Sequence, residues 1–291
     1  MIAMNMDDTR TGEMIGGRYL VGPRLGHGAH GEVYRARDTI DQQDVAIKFL
    51  AHHLAHDTDY RLRLVREARI MSALKGLATV TIHGVIGADD GAPCVVMELM
   101  DGKDLSDVLS ERQKNEDYFS IDEVIRLFAP IVRTLDAAHA KGIVHRDLKP
   151  SNIFLCGGEV DDSRIMDFGL AKAEDLSSIT ADQMLAGSPS YIAPEIWQRG
   201  AKEADSRSDI YSLAVVIFET LCFQVPVYRK ELVQMLVAVT TPGNLASLHA
   251  LRPSLPTHID DWAQQALAID PDNRFQTVVA LWRALRSVLQ H

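Results

Sequence analysis

His145-Arg146-Asp147-Leu148-Lys149-Pro150-Ser151-Asn152 is the stretch on which the reading of this chain turns. It follows an amphipathic segment ending Asp136-Ala137-Ala138-His139-Ala140, so the pattern predicts a loop leaving a helix. Beyond it stands a second short signal, Asp167-Phe168-Gly169. A charged surface loop that matches by accident accounts for a lone His-Arg-Asp. It does not account for Asp147, Lys149 and Asn152 in register with a second acidic motif downstream.

Together these signals resemble the eukaryotic-type Ser/Thr protein kinases, in a bacterial-like form with compact loops. The resemblance covers about residues 18–290. It implies an α+β, bilobal fold, with a small β-rich N-lobe over about 18–100 and a larger helical C-lobe over about 101–290. Residues 1–17, polar and rich in Met, Asp and Gly, are expected to be a flexible lead-in. The implied reaction is ATP- and Mg2+-dependent transfer of the γ-phosphoryl group to Ser/Thr hydroxyls of protein substrates. Such chemistry is mostly positioning and charge handling. Asp147 is the candidate carboxylate that accepts or orients the proton of the attacking hydroxyl. Lys149, two residues on, is placed to neutralise the transferring group. Asn152 and Asp167 offer the oxygen ligands that a hard magnesium ion needs.

Toward the N-terminus, Gly26-His27-Gly28-Ala29-His30-Gly31 interrupts two strand-like runs, Arg18-Tyr19-Leu20-Val21 and Val33-Tyr34-Arg35-Ala36-Arg37-Asp38. The same glycine spacing occurs in dinucleotide-binding folds, where it leads into a helix. Here a strand follows, and glycines without Cβ let backbone lie close over phosphates. An ordinary Gly-rich hairpin is the alternative. Val45-Ala46-Ile47-Lys48 then supplies the strand-plus-lysine signature, with Lys48 directed at the α- and β-phosphates. Tyr60–Leu74 reads as a helix with Leu64, Ala68, Met71 and Leu74 on one face. Glu67 within it pairs either with its arginine neighbours or with Lys48. As the only acidic residue of that span it is assigned to Lys48. The resemblance further implies a nucleotide site of Leu25, Gly26, Gly28, Gly31, Val33, Ala46, Glu98, Met100 and Phe154. In it Met97 would be the gatekeeper, Glu98–Met100 the hinge and Phe154 the floor beneath adenine. Where the family carries a His-Pro-Asn turn, this chain has Gly76-Leu77-Ala78-Thr79.

Toward the C-terminus, Ser120-Ile121-Asp122-Glu123 is a capping box opening the long helix into the catalytic loop. Gly187 to Glu195 resembles the end of an activation segment, closing on Ala193-Pro194-Glu195. Ser188 stands where Ser/Thr kinases place a hydroxyl residue, usually threonine. Asp209 opens a very apolar helix as its cap, and the family implies that it also supports the catalytic loop from below. Arg274, by resemblance, should pair with Glu195. Among the segment's hydroxyls Thr180 is the first choice for autophosphorylation and Ser178 the second, with Arg146, Lys172 and Arg63 as receiving cations. Asp182 is the competing, unmodified anion.

Bulk properties fit this reading. A chain of 291 residues with 46% hydrophobic and 24% charged residues is ordinary for a globular protein of one bilobal unit. A net charge of -10 argues against nucleic acid as a partner. Cys94, Cys156 and Cys222 show no paired spacing, which suits a reducing, cytoplasmic setting. No secretory signal is visible, and the Leu213–Phe218 apolar run is too short to span a bilayer. His52, His53 and His56 lack a third ligand and read as a solvated linker. Two rival readings are a pseudokinase scaffold, which normally lacks Lys48, Asp147 or Asp167, and a small-molecule phosphotransferase, which usually lacks the segment from Asp167 to Glu195.

Overall fold

The computed structural model describes residues 10–28, 31–51, 54–88, 91–168 and 189–290. The chain folds as two compact units. One takes in the chain up to Lys75 together with Val80–Met100; the other holds Gly76–Thr79 and everything from Asp101.

The first unit is built on a six-stranded antiparallel sheet. Its strands are β1 (Met14–Ile15), β2 (Tyr19–Gly28), β3 (Gly31–Asp38), β4 (Gln43–Leu50), β5 (Ile82–Gly87) and β6 (Pro93–Glu98), in the spatial order β1-β2-β3-β4-β6-β5. Strand alternation splits its side chains between two faces. Tyr34, Ile47, Phe49, Cys94 and Val96 form the core of one face, and Leu50 and Val95 belong to the other. That second face is covered by α1 (Thr58–Ala73), whose Leu64 and Ala68 pack against it. Asp57 caps α1 by accepting from the backbone of Asp59 and Tyr60. The helix thus starts two residues earlier than the sequence pattern suggests, and Asp59 joins Glu67 as an acidic residue within it.

Part of the lead-in expected to be flexible is ordered. From Arg10 it turns back along β2, with Met14 and Ile15 registered against Leu20 and Tyr19. Ile15 is fully buried in the Tyr34–Phe49 core, and this burial is what holds the segment in place.

The second unit contains a small sheet of β7 (Gly102–Asp104), β8 (Ile153–Cys156) and β9 (Ser163–Ile165), all antiparallel. Gly102 has φ 145, and a Cβ there would fall 2.0 Å from the Leu155 carbonyl oxygen, so only glycine lets β7 and β8 approach. The described helices are α2 (Leu105–Lys114), α3 (Ile121–His139), α4 (Pro194–Arg199), α5 (Ser206–Cys222), α6 (Leu232–Thr240), α7 (Leu248–Leu251), α8 (Ile259–Ala266) and α9 (Val278–Leu289). In α3 the buried residues Val124, Leu127, Phe128, Ile131, Leu135 and Ala138 recur at helical spacing. The capping box is present: Ser120 Oγ accepts from Glu123 N–H, and the Glu123 carboxylate accepts from Ser120 N–H.

Helix α5 is apolar almost all round and buried along nearly its whole length, the pattern of a helix inside a core. Its cap is Asp205, whose carboxylate accepts from Arg207 N–H. The expectation that Asp209 caps this helix is therefore corrected: Asp209 lies inside the first turn, and its oxygens go to the loop before it. Gly76–Thr79 is tied into this unit by α3 and β9. Thr134 Oγ1 accepts from Ala78 N–H at 3.0 Å, and Ala78 C=O accepts from Ile165 N–H at 2.8 Å. Glu195 and Arg274 form a buried ion pair at 2.6 Å, as the resemblance implies. Burial works against the Glu195 charge, but the hydrogen bond and charge of Arg274 prevail and hold its carboxyl below the usual glutamate range.

Candidate active site

The candidate residues divide between the two units. In the first, the register of β3 on β4 and of β4 on β6 decides which side chains share a face. Val33 lies opposite Lys48, and Ala46 lies opposite Met97. Period-two alternation therefore puts Val33, Ala46 and Lys48 on the α1 side of the sheet. There Lys48 Nζ reaches Glu67 Oε1 at 3.0 Å, and both side chains are half-buried. The helix presents Glu67 because it lies one residue before the buried Ala68, at the margin of the apolar stripe.

Strand β2 carries Leu25, Gly26 and Gly28, and Gly28 is registered against Gly31 where the chain returns as β3. The glycine loop bridges two strands, as the sequence pattern requires. A Cβ on Gly31 would fall 2.2 Å from the Phe49 carbonyl oxygen, so glycine is needed there to let β3 close on β4. Leu25 is exposed at the strand surface. At the other end of the unit, Glu98 is held at both backbone and side chain. Its N–H donates to Thr81 C=O at 2.9 Å, and its carboxylate accepts from Thr81 N–H at 2.6 Å. Met100 closes this unit. The unit thus offers a sheet face with a lysine paired to Glu67, and glycines at the registered ends of β2 and β3.

In the second unit α3 ends at His139 and the chain enters the loop that holds Asp147. The anchor of that loop is Asp209 on α5. Its Oδ2 accepts from His145 N–H at 2.8 Å and lies 2.8 Å from His139 Nε2; its Oδ1 accepts from Arg146 N–H at 2.9 Å. A buried carboxylate that takes two backbone donors fixes the loop's course. Arg146 follows with φ 68, uncommon for a residue with a side chain, and Asp167 has φ 47. Such positions cluster at functional sites, where surrounding contacts over-determine the backbone.

His145 is fully buried, and burial pushes its imidazole below its ordinary value, toward the neutral ring. The contacts then define a tautomer. Nδ1 accepts from Asp147 N–H at 3.3 Å, so the proton sits on Nε2, which donates to Met166 C=O at 3.0 Å. The ring also rests against Phe168, with centroids 4.6 Å apart. His145 thereby ties the Asp147 loop to the residues around Asp167.

Asp147, Lys149 and Asn152 come together. Lys149 Nζ lies 3.1 Å from Asp147 Oδ2, and Asn152 Nδ2 donates to both the carbonyl and Oδ2 of Asp147, at 2.7 and 3.1 Å. One oxygen of Asp147 is therefore oriented by a cation and an amide. With Nδ2 turned to Asp147, Asn152 keeps its amide oxygen as a hard donor. Asn152 C=O accepts from Met166 N–H at 2.9 Å, bringing the strand that precedes Asp167 alongside. Among the described residues no three His, Cys, Asp or Glu side chains cluster as a closed metal cage. Magnesium does not need one: it binds through one or two protein oxygens plus phosphate and water. The oxygens of Asn152 and Asp167 suit that mode. Phe154, half-buried on β8, is registered against Asp104 and Arg164.

Several contributors were not singled out from the sequence. His139 stands on Asp209, and its one signal was its place in the last turn of α3. Thr134 looks like any polar residue of a helix until Ala78 is seen on its hydroxyl. Ser177, Ser178, Thr180, Asp182, Ser188 and Lys172 lie outside the described residues, as do Gly169, His52 and His53. Arg63 stacks over the Tyr60 ring at 4.7 Å.

Comparison with known proteins gives one consistent answer. A family model described as the protein kinase domain matches residues 19–289. The serine/threonine-protein kinase PknH of Mycobacterium tuberculosis is 34% identical over 282 residues, which cover 97% of this chain and 43% of PknH. The chain thus spans less than half the length of that relative. M. tuberculosis PknL is 29% identical over 290 residues, covering 100% of this chain and 70% of PknL. Among solved structures, the M. tuberculosis PknI kinase domain matches with a TM-score of 0.74 at 27% identity, covering 97% of this chain and 99% of that one.

Proposed function

This chain belongs to the protein kinase domain family, and on that premise we propose that it transfers the γ-phosphoryl group of ATP to serine and threonine hydroxyls of proteins. Members of the family take ATP as substrate and use Mg2+ in catalysis. The observation that carries the reading is the catalytic-loop cluster: Asp147 held by Lys149 and Asn152 on a loop pinned to Asp209.

In the proposed reaction the acceptor Oγ attacks the γ-phosphorus, an Oγ–P bond forms, and the bond to the bridging oxygen of ADP breaks. Asp147 takes or orients the hydroxyl proton. Lys149 offsets charge on the transferring group, and Lys48, kept in place by Glu67, holds the α- and β-phosphates. Asn152 and Asp167 would hold magnesium, which supplies charge neutralisation at the phosphates. Leu25, Gly26, Gly28, Gly31, Val33, Ala46, Glu98, Met100 and Phe154 would line the nucleotide. The proposal takes about residues 18–290 as the kinase domain, with N-lobe and C-lobe parting near residue 100; the two compact units support that division.

Autophosphorylation at Thr180 is part of the same proposal. Its support is the buried Arg146 Nε, which has no hydrogen-bond partner among the described residues, so an anion at this guanidinium would be favourable. We place the domain in the reducing, ATP-rich cytoplasm, on the support of three free cysteines. Among the described residues no helix is long and apolar enough to cross a membrane.

Incubation with radiolabelled ATP, Mg2+ and a generic acceptor protein tests the function. Label on phosphoserine or phosphothreonine, absent with Asp147→Asn, is the expected result. Label that persists with Asp147→Asn, or that never forms with the native chain, overturns it.

A further inference from the structure

The Arg10–Ile15 segment does more than fill an edge. Strand β2 loses regular register with β3 at two points, between Val21 and Arg24 and between Arg24 and Gly26, the second of them at the candidate nucleotide residues Leu25 and Gly26. At the first irregular point the lead-in supplies the missing hold from the opposite side. Val21 N–H donates to Glu13 C=O at 2.9 Å, Val21 C=O accepts from Gly12 N–H at 2.9 Å, and Gly22 C=O accepts from Thr11 Oγ1 at 3.0 Å. Ile15 anchors one end of the segment in the sheet core.

Arg10 anchors the other end. Its guanidinium lies 4.5 Å from the centre of the Phe49 ring and is steadied by Glu13 at 3.1 Å. Phe49 is a junction of the nucleotide machinery. It follows Lys48 on β4, and its carbonyl oxygen is the atom against which Gly31 closes. A cation over an aromatic face is a directional contact, strongest where water is partly excluded. The Arg10 side chain is 17% exposed, so it meets that condition.

We propose that Arg10–Ile15 is a strap that positions the glycine strand against β4 for nucleotide binding, with Arg10 as its positioning residue. The inference rests on the kinase reading above. It assigns the strap to ATP affinity and gives it no part in the transfer step itself.

The test titrates a fluorescent ATP analogue with Mg2+ into the full chain and measures KM for ATP and kcat. Arg10→Ala should weaken nucleotide binding and raise KM about 5-fold, with kcat within about twofold of the native value. Arg10→Lys, which keeps a cation over the ring, should restore most of the affinity. Unchanged affinity in Arg10→Ala, even with a lowered Tm, overturns the strap, as does Arg10→Lys failing like Arg10→Ala. If Arg10→Ala does not fold, Thr11→Val carries the test: weaker binding supports the strap and unchanged binding overturns it. A native chain that binds no nucleotide overturns the kinase reading instead, so the two failures are distinguishable.

Discussion

Asp147 and Asp167 are both acidic, yet the proposed reaction gives them different tasks. Asp147 is gripped by Lys149 and Asn152, which suits a group that must hold one orientation toward an incoming hydroxyl. Asp147→Asn should therefore lower kcat by about two orders of magnitude or more while nucleotide affinity stays near native. Asp167→Asn should instead weaken binding of the Mg2+–nucleotide complex. Titrating nucleotide beside turnover separates the two, and normal turnover in Asp147→Asn would remove Asp147 from the mechanism. Lys48 and Glu67 make a second residue-scale case. With the pair at 3.0 Å, Lys48→Met should abolish transfer and Glu67→Gln should weaken it, both with a native melting profile. Near-native rates for both variants would show that the pair has no part in the reaction.

At the scale of elements, α3 is the support of the catalytic loop, and its start is electrostatically built. Ser120 and Glu123 cap each other, and Arg112 from the end of α2 donates to Glu123 at 2.7 Å. Ser120→Ala should cost about 1 kcal/mol of stability, read by denaturant unfolding. The hydrogen bond from Arg112 lowers the Glu123 carboxyl from the ordinary 4.5 to about 2. Because the folded value is the lower one, this contribution is fully present above about 4.5 and fades as pH falls toward 2. Thermal melts of the native chain and Glu123→Gln should then converge as pH falls through that window. A gap that persists at pH 2 would assign the stabilisation to packing. Helix α5 plays the complementary part, because its buried first turn offers Asp209 to the loop. Asp209→Ala should leave two backbone donors unmet and lower kcat at least about tenfold, with nucleotide affinity nearly unchanged.

At the scale of the whole molecule, the second unit depends on a contact that joins α4 to the residues following α8. Glu195 and Arg274 are both buried, and Arg274 also donates to the carbonyls of Arg207, Ala268 and Ile269. Ser208 Oγ donates to the same Glu195 carboxylate. Removing one partner leaves an uncompensated buried charge, so Arg274→Ala should cost about 3–5 kcal/mol. Denaturant unfolding checks this, and a cost below about 1 kcal/mol would mean that water reaches Glu195 in the variant.

The sequence by itself determined the family and most of the elements. The residues of the catalytic loop, the strand lysine, the glycine loop and the Ser120–Glu123 box all draw their meaning from near neighbours, and local spacing preserves it. Family resemblance extended that reading to Glu195 and Arg274. What only the tertiary structure decided involves partners distant along the chain. Asp209 looked equally able to cap its helix until Asp205 took the cap and the loop of His145 and Arg146 took Asp209. Thr134 gained a purpose only when Ala78 arrived at its hydroxyl, and Ile15 only when the sheet core closed around it. The reason is physical. A carboxylate or hydroxyl satisfies whichever donor burial brings to it, and packing of the whole chain chooses that donor.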